Sequence, residues 1–131
     1  MDIHKYTLPK EERISRKLVI DKLFAEGKSF VVYPLRLVYL TNVVGQDTPA
    51  AMMVSVSKKR FKRAVKRNFI KRRLREAYRI NKHKLLLPVD LQGIAMSFIY
   101  LSSDLKSFDT LNVKMGELIE QFNKKLCSVN S

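Results

Sequence analysis

Cysteine is nearly absent from this chain: Cys127 is the only one, so no intrachain disulfide can form. That usage fits a reducing compartment, and Cys127, on a helical pattern near the end of the sequence, is expected to be a packing residue or a bystander. There are two histidines, His4 and His83, and neither has a second histidine or a carboxylate at ligand spacing. A His/Cys metal set is therefore excluded, as is a histidine pair serving as acid and base. The 12 acidic residues are scattered without a D-x-D or E-x-K pattern, and the adjacent Glu11 and Glu12 cannot share a helix face. No two-metal carboxylate centre can be drawn from them. Four glycines and four prolines provide no Gly-rich phosphate loop and no linker. Apolar runs fall short of the ~18 residues that a membrane span requires. The stretch Met1–Lys17 is polar and charged, so no signal peptide is expected and a cytoplasmic location is. An active site confined to this chain is accordingly not expected.

What the chain has is positive charge. Its 26 lysines and arginines give a net charge of +14. An apolar fraction of 46% is ordinary for a globular core, and 131 residues suit a single domain, with residues 1–12 as a flexible arm. From Lys58 to Lys84 there are 14 Lys/Arg and one acid, Glu76, while outside that stretch bases and acids nearly balance. Charge so concentrated is the footprint of a surface for a polyanion. A solvated helix face normally mixes signs, because like charges one turn apart destabilise a helix.

The same stretch has helical periodicity. Ile70, Leu74, Ala77, Tyr78 and Leu85 recur at i, i+4, i+7, i+8 and i+15, and a helix over about 62–84 is expected. At about 100° per residue, Asn68, Lys71, Arg72, Arg75 and Arg79 fall within roughly a third of a turn, beside the apolar stripe. The helix should dock through its stripe and present an Arg/Lys/Asn ridge outward. The stripe is narrow and holds Ala77 and Tyr78, which suits docking on a core better than insertion into a bilayer.

Around this segment the pattern yields a helix at about 16–26 stopped by Gly27, and a short strand at 30–33 before Pro34. Further strands are expected at 35–44, 50–57 and 93–101, with a turn at 45–49 and a last amphipathic helix at about 107–126. The expected class is α+β, a four-stranded sheet in one layer backed by helices, in the order α-β-β-β-α-β-α.

The order Ser55-Val56-Ser57-Lys58-Lys59, a short gap, Arg63-Ala64-Val65-Lys66-Arg67-Asn68, then Ile70-Lys71-Arg72-Arg73-Leu74-Arg75-Glu76 says more than charge does. It resembles the signature of the protein subunit of bacterial ribonuclease P, a strand ending in S-x-S-K-K followed by A-V-x-R-N-R-x-K-R-x-x-R-E on a helix. The chain departs from it twice. Phe69 replaces the last arginine of the Arg-Asn-Arg triplet, and Arg60-Phe61-Lys62 stands where a glycine is usual.

The resemblance covers about 13–126 and implies the same element order, in a ribosomal S5 domain 2-like fold. It implies a catalytic RNA with bound Mg²⁺ that removes the 5′ leader of precursor tRNA, the protein binding no cofactor itself. Partners would be the ribonuclease P RNA and precursor tRNA, with no membrane and no obligate protein partner. RNA contacts would come from Lys58, Lys59, Arg63, Lys66, Arg67, Asn68, Lys71, Arg72, Arg75 and Arg79. A leader cleft between the first helix, the sheet and the basic helix would use Arg13, Arg16, Ile20, Phe24 and Tyr39, with Lys17 extending it. Core packing is the competing reading of Phe24 and Tyr39. The competing reading of the whole is a ribosomal or other structural RNA-binding protein with no role in cleavage.

Overall fold

A computed structural model describes residues 17–41, 50–86 and 93–129, without the side chains of 127–129. The arm with His4, the residues Arg13 and Arg16, the 45–49 turn, Pro88 and the Cys127 side chain lie outside the described residues. In chain order the elements are α1 (Lys17–Glu26), β1 (Lys28–Val32), β2 (Leu35–Leu40), β3 (Ala50–Val56), α2 (Ala64–Asn81), a short 3-10 turn (Lys82–Lys84), β4 (Ile94–Tyr100) and α3 (Phe108–Val129). The expected order stands. β2 stops at Leu40 rather than 44, and the basic helix ends at Asn81.

The four strands form one sheet in the order β1-β2-β4-β3. β1 pairs with β2, and β2 with β4, antiparallel, while β3 runs parallel to β4. Parallel neighbours need a crossover, and the basic helix α2 is that crossover. Alternation along the strands then divides the side chains between two faces. Leu35, Leu37 and Tyr39, then Met52, Val54 and Val56, then Ile94, Met96, Phe98 and Tyr100 share the main core with residues of α2 and α3. Val38 and Ala95 point to the other face and bury Leu23 of α1. The sheet is thus backed by helices on both sides. This is why AAMMVSV and IAMSFIY read as nearly continuous apolar runs.

On the main face α3 lies against β1 and β2, α2 lies against the edge strand β3, and the two helices pack on each other. A polar clamp fixes that pair. Asn81 is 3% exposed, and its Nδ2 donates to the Ala77 carbonyl at 2.8 Å and to Asn112 Oδ1 at 2.7 Å. Gly116 allows the close approach, since a Cβ there would stand 3.3 Å from Asn81 Oδ1. Past the helix end, Asn123 donates to the Lys84 carbonyl and accepts from the Leu86 amide, both at 2.9 Å. That grip draws the chain off the helical path, so Leu85 packs on the core from outside α2. Asn81→Leu keeps the volume but strips the donor from Asn112. A loss of about 1–3 kcal/mol is expected, read as a lower urea midpoint at unchanged slope.

Candidate nucleic-acid interface

The cationic surface begins where β3 ends. The Ser57 carbonyl accepts from the amides of Arg60 (3.2 Å) and Phe61 (3.1 Å), and Ser57 Oγ accepts from the Lys59 amide at 3.1 Å. Phe61 is 7% exposed, with its ring 6.1 Å from that of Tyr100. A tight turn anchored by one buried aromatic therefore holds Lys58, Lys59 and Arg60 out to solvent. The turn forms without a glycine, Arg60, Phe61 and Lys62 filling it. The role of Ser57 escapes a reading of charge alone, although a serine just past a strand end is a recognised turn signal.

α2 buries Ile70, Leu74, Ala77, Tyr78 and Asn81. Asn81 faces α3 through its bond to Asn112, and Tyr78 faces β4, its ring 5.4 Å from that of Phe98. Turning the helix onward in the same sense brings up Lys71, Arg75 and Asn68. This flank lies away from α3, beside the sheet edge formed by β3. Arg72 crowns the helix, while Lys66 and Arg73 occupy the flank nearer α3. Arg63, Lys66, Asn68, Arg72 and Arg75 are exposed and Lys71 is half-buried. Among the described residues none of these six side chains has a hydrogen-bond or ion-pair partner within the protein.

Two of the expected ridge residues are otherwise engaged. Arg67 does not point freely outward: it is half-buried, and its Nη1 donates to the carbonyls of Phe61 (2.9 Å) and Lys62 (2.8 Å). It holds the loop that enters α2, whose N-cap residue Arg63 makes no side-chain capping bond. Arg79 is paired with Glu76, donating through Nε at 3.1 Å and also through Nη2. The Arg79 hydrogen bonds, and secondarily its charge, hold the Glu76 carboxyl below the ordinary value, against an opposing desolvation. The one acid of the segment is thereby neutralised locally, together with one of its cations.

On the opposite face of the sheet, α1 buries Leu23 completely, leaves Ile20 half-buried and exposes Phe24 at 49%. Core packing therefore does not account for Phe24. It does account for Tyr39. That ring packs 4.8 Å from Phe122 and 6.3 Å from Phe30, on the α3 side of the sheet. Tyr39 is 9% exposed, and burial pushes its phenol pKa up. Its place in a cleft beside α1 is corrected for a simple reason: strand alternation turns Val38, not Tyr39, toward α1. The floor beside α1 instead includes Met53 and Ile99, both half-buried. Alternation along β3 and β4 identifies these two once the face taken by α2 is known.

Among the described residues no three His, Cys, Asp or Glu side chains come together to hold a metal ion. Among the same residues no helix is long and apolar enough to cross a membrane. Fold and surface together define a small α+β domain carrying one cationic helix over a sheet edge.

Comparison with known proteins gives this class its family. The family model described as Ribonuclease P matches residues 8–123. The chain is 45% identical over 112 residues to the ribonuclease P protein component of Porphyromonas gingivalis, covering 84% of this chain and 82% of that one. It is 35% identical to the component of Chlorobium phaeobacteroides, covering 76% and 70%. In fold it is similar to the ribonuclease P protein of Thermotoga maritima, with a TM-score of 0.65, 24% identity and coverage of 84% and 96%. The Staphylococcus aureus protein gives 0.65, 21%, 86% and 95%. The chain belongs to the ribonuclease P protein family.

Proposed function

We propose that this chain is the protein subunit of a ribonuclease P ribonucleoprotein, docking on the catalytic RNA and holding the 5′ leader of precursor tRNA. The observation that carries the reading is the row of exposed side chains on α2, chiefly Asn68, Arg72 and Arg75, which have no partners within the described protein. Cations left unpaired on a rigid helix are suited to phosphates, and phosphate contacts set register and orientation without reading bases. Lys58, Lys59 and Arg63 extend the row around the end of β3.

The scissile phosphodiester would be hydrolysed by the RNA with Mg²⁺ held on its own phosphates. This chain assembles no carboxylate set for that ion among its described residues. Its contribution is electrostatic and positional. Lysines and arginines that neutralise RNA phosphates reduce the counterions the folded RNA must otherwise collect. The protein's effect should therefore be greatest at low Mg²⁺. α1, with Ile20 and the exposed Phe24, offers a surface where the single-stranded leader can lie.

Adding the protein to a ribonuclease P RNA is expected to raise cleavage of precursor tRNA at low Mg²⁺, with the gain shrinking as Mg²⁺ rises. RNA binding without stimulation at any Mg²⁺ concentration would point to a structural RNA-binding protein instead. Cleavage by protein freed of RNA would make it a nuclease in its own right. Phe24→Ala should weaken binding of precursor tRNA by about 1–3 kcal/mol and leave mature tRNA unchanged, since only the precursor has a leader base to stack. Equal losses for both tRNAs would remove Phe24 from leader binding.

A further inference from the structure

Phe69 is the odd residue on α2. It belongs to neither buried cluster, is 45% exposed, and stands among cations: Lys66, Arg72 and Arg73. The Arg73 guanidinium lies over its ring, 4.4 Å from the centroid. Val65, one turn earlier on the same side of the helix, is 79% exposed. With one ring face against a guanidinium, the remaining exposure belongs to the other face and the edge. A surface built only for phosphates has no use for a phenyl ring here.

We propose that Phe69, backed by Arg73, is a stacking seat for one unpaired nucleobase of the bound RNA; this rests on the RNA-binding reading above. A base on the open face would complete a three-layer stack of base, phenyl and guanidinium. Arg73 holds the ring in one orientation, so less side-chain freedom is lost when the base arrives. The charges around the ring choose the occupant. An apolar protein surface pressed onto Phe69 would strip water from Lys66, Arg72 and Arg73 without compensation. A nucleotide presents an apolar face with phosphates on either side of it. Glu76, the segment's one acid, is held by Arg79 and adds no unpaired carboxylate. The base must be unpaired, because a duplex keeps its base faces stacked inside.

The chain contains no tryptophan, so Phe69→Trp places a single reporter at the seat. Its emission should be quenched on binding RNA and not on binding an abasic ribose-phosphate oligomer of equal length. Running a ribonuclease P RNA and a precursor tRNA separately tells which of them supplies the base. Phe69→Ala should lower affinity for the quenching RNA roughly 5- to 100-fold, with the log–log salt slope unchanged, because stacking releases no counterions. Phe69→Arg, which restores the residue of the family motif, should steepen that slope by about 0.7–0.9. Thermal melts are expected to match the parent, since the ring is outside the core. Emission unaltered by either RNA while both still bind, or an unchanged affinity for Phe69→Ala, overturns the seat. Failure of the parent protein to bind any RNA overturns the earlier reading instead.

Discussion

Alanine at both Arg72 and Arg75 is expected to weaken binding to a ribonuclease P RNA about 25- to 60-fold near 0.1 M salt. The estimate follows from counterion release. Each phosphate contact contributes roughly 0.7–0.9 to the slope of log affinity against log salt, hence about 5- to 8-fold at about 0.1 M relative to 1 M. Two lost contacts should flatten the slope by about 1.4–1.8. Both side chains are exposed and lack internal partners among the described residues, so the protein should melt as before. Arg79→Ala is the internal comparison. That guanidinium is already paired with Glu76, and its loss should change the slope less than the loss of Arg72 or Arg75. Arg67→Ala should behave differently again. It strips both loop carbonyls of their donor, and lower stability should accompany any loss of affinity. An unchanged slope in the Arg72/Arg75 double variant would show that the ridge faces away from RNA.

The separate behaviour of these arginines marks how far the sequence could be read. Charge concentration and the 3.6-residue period were enough to place α2, its buried stripe and the outward position of Asn68, Arg72 and Arg75. They could not say that Arg67 reaches back five and six residues to loop carbonyls, because that depends on the path of the turn after β3. The Glu76–Arg79 pair was legible in principle, as opposite charges three apart on a helix. Asn81 sits four residues beyond Ala77 on the apolar stripe, and a polar residue there implies a buried partner. The identity of that partner, Asn112, is a long-range fact of how α3 packs. Tyr39 was misplaced for a related reason. From Leu37 to Leu40 β2 is apolar on both faces, so alternation separates Tyr39 from Val38 without telling which of them meets α1. That α1 and α3 lie on opposite sides of the sheet decides it, and neither helix carries that information alone.

Gly27 links that two-sided construction to function, and Gly27→Ala is expected to cost about 3 kcal/mol, the upper end for overpacking against backbone. Gly27 ends α1, its amide donating to the Leu23 carbonyl at 2.8 Å. A Cβ at this position would lie 2.3 Å from the Leu23 carbonyl oxygen, 2.9 Å from Val38 Cγ1 and 3.0 Å from the Tyr39 carbonyl oxygen. Two of these are backbone atoms, which cannot swing aside as a side chain can. Relief of the contacts with Val38 and Tyr39 requires α1 to lift from β2, and lifting exposes Leu23, now fully buried against Val38 and Ala95. For a domain of this length the melting temperature should fall by about 10 °C. Because α1 carries Ile20 and Phe24, the preference for precursor over mature tRNA should fall with it. The salt slope of RNA binding should hold, since α2 packs on the other face of the sheet. A melting temperature equal to the parent's would mean that α1 does not rest on β2 as described, and the leader surface built from it would then have no fixed position.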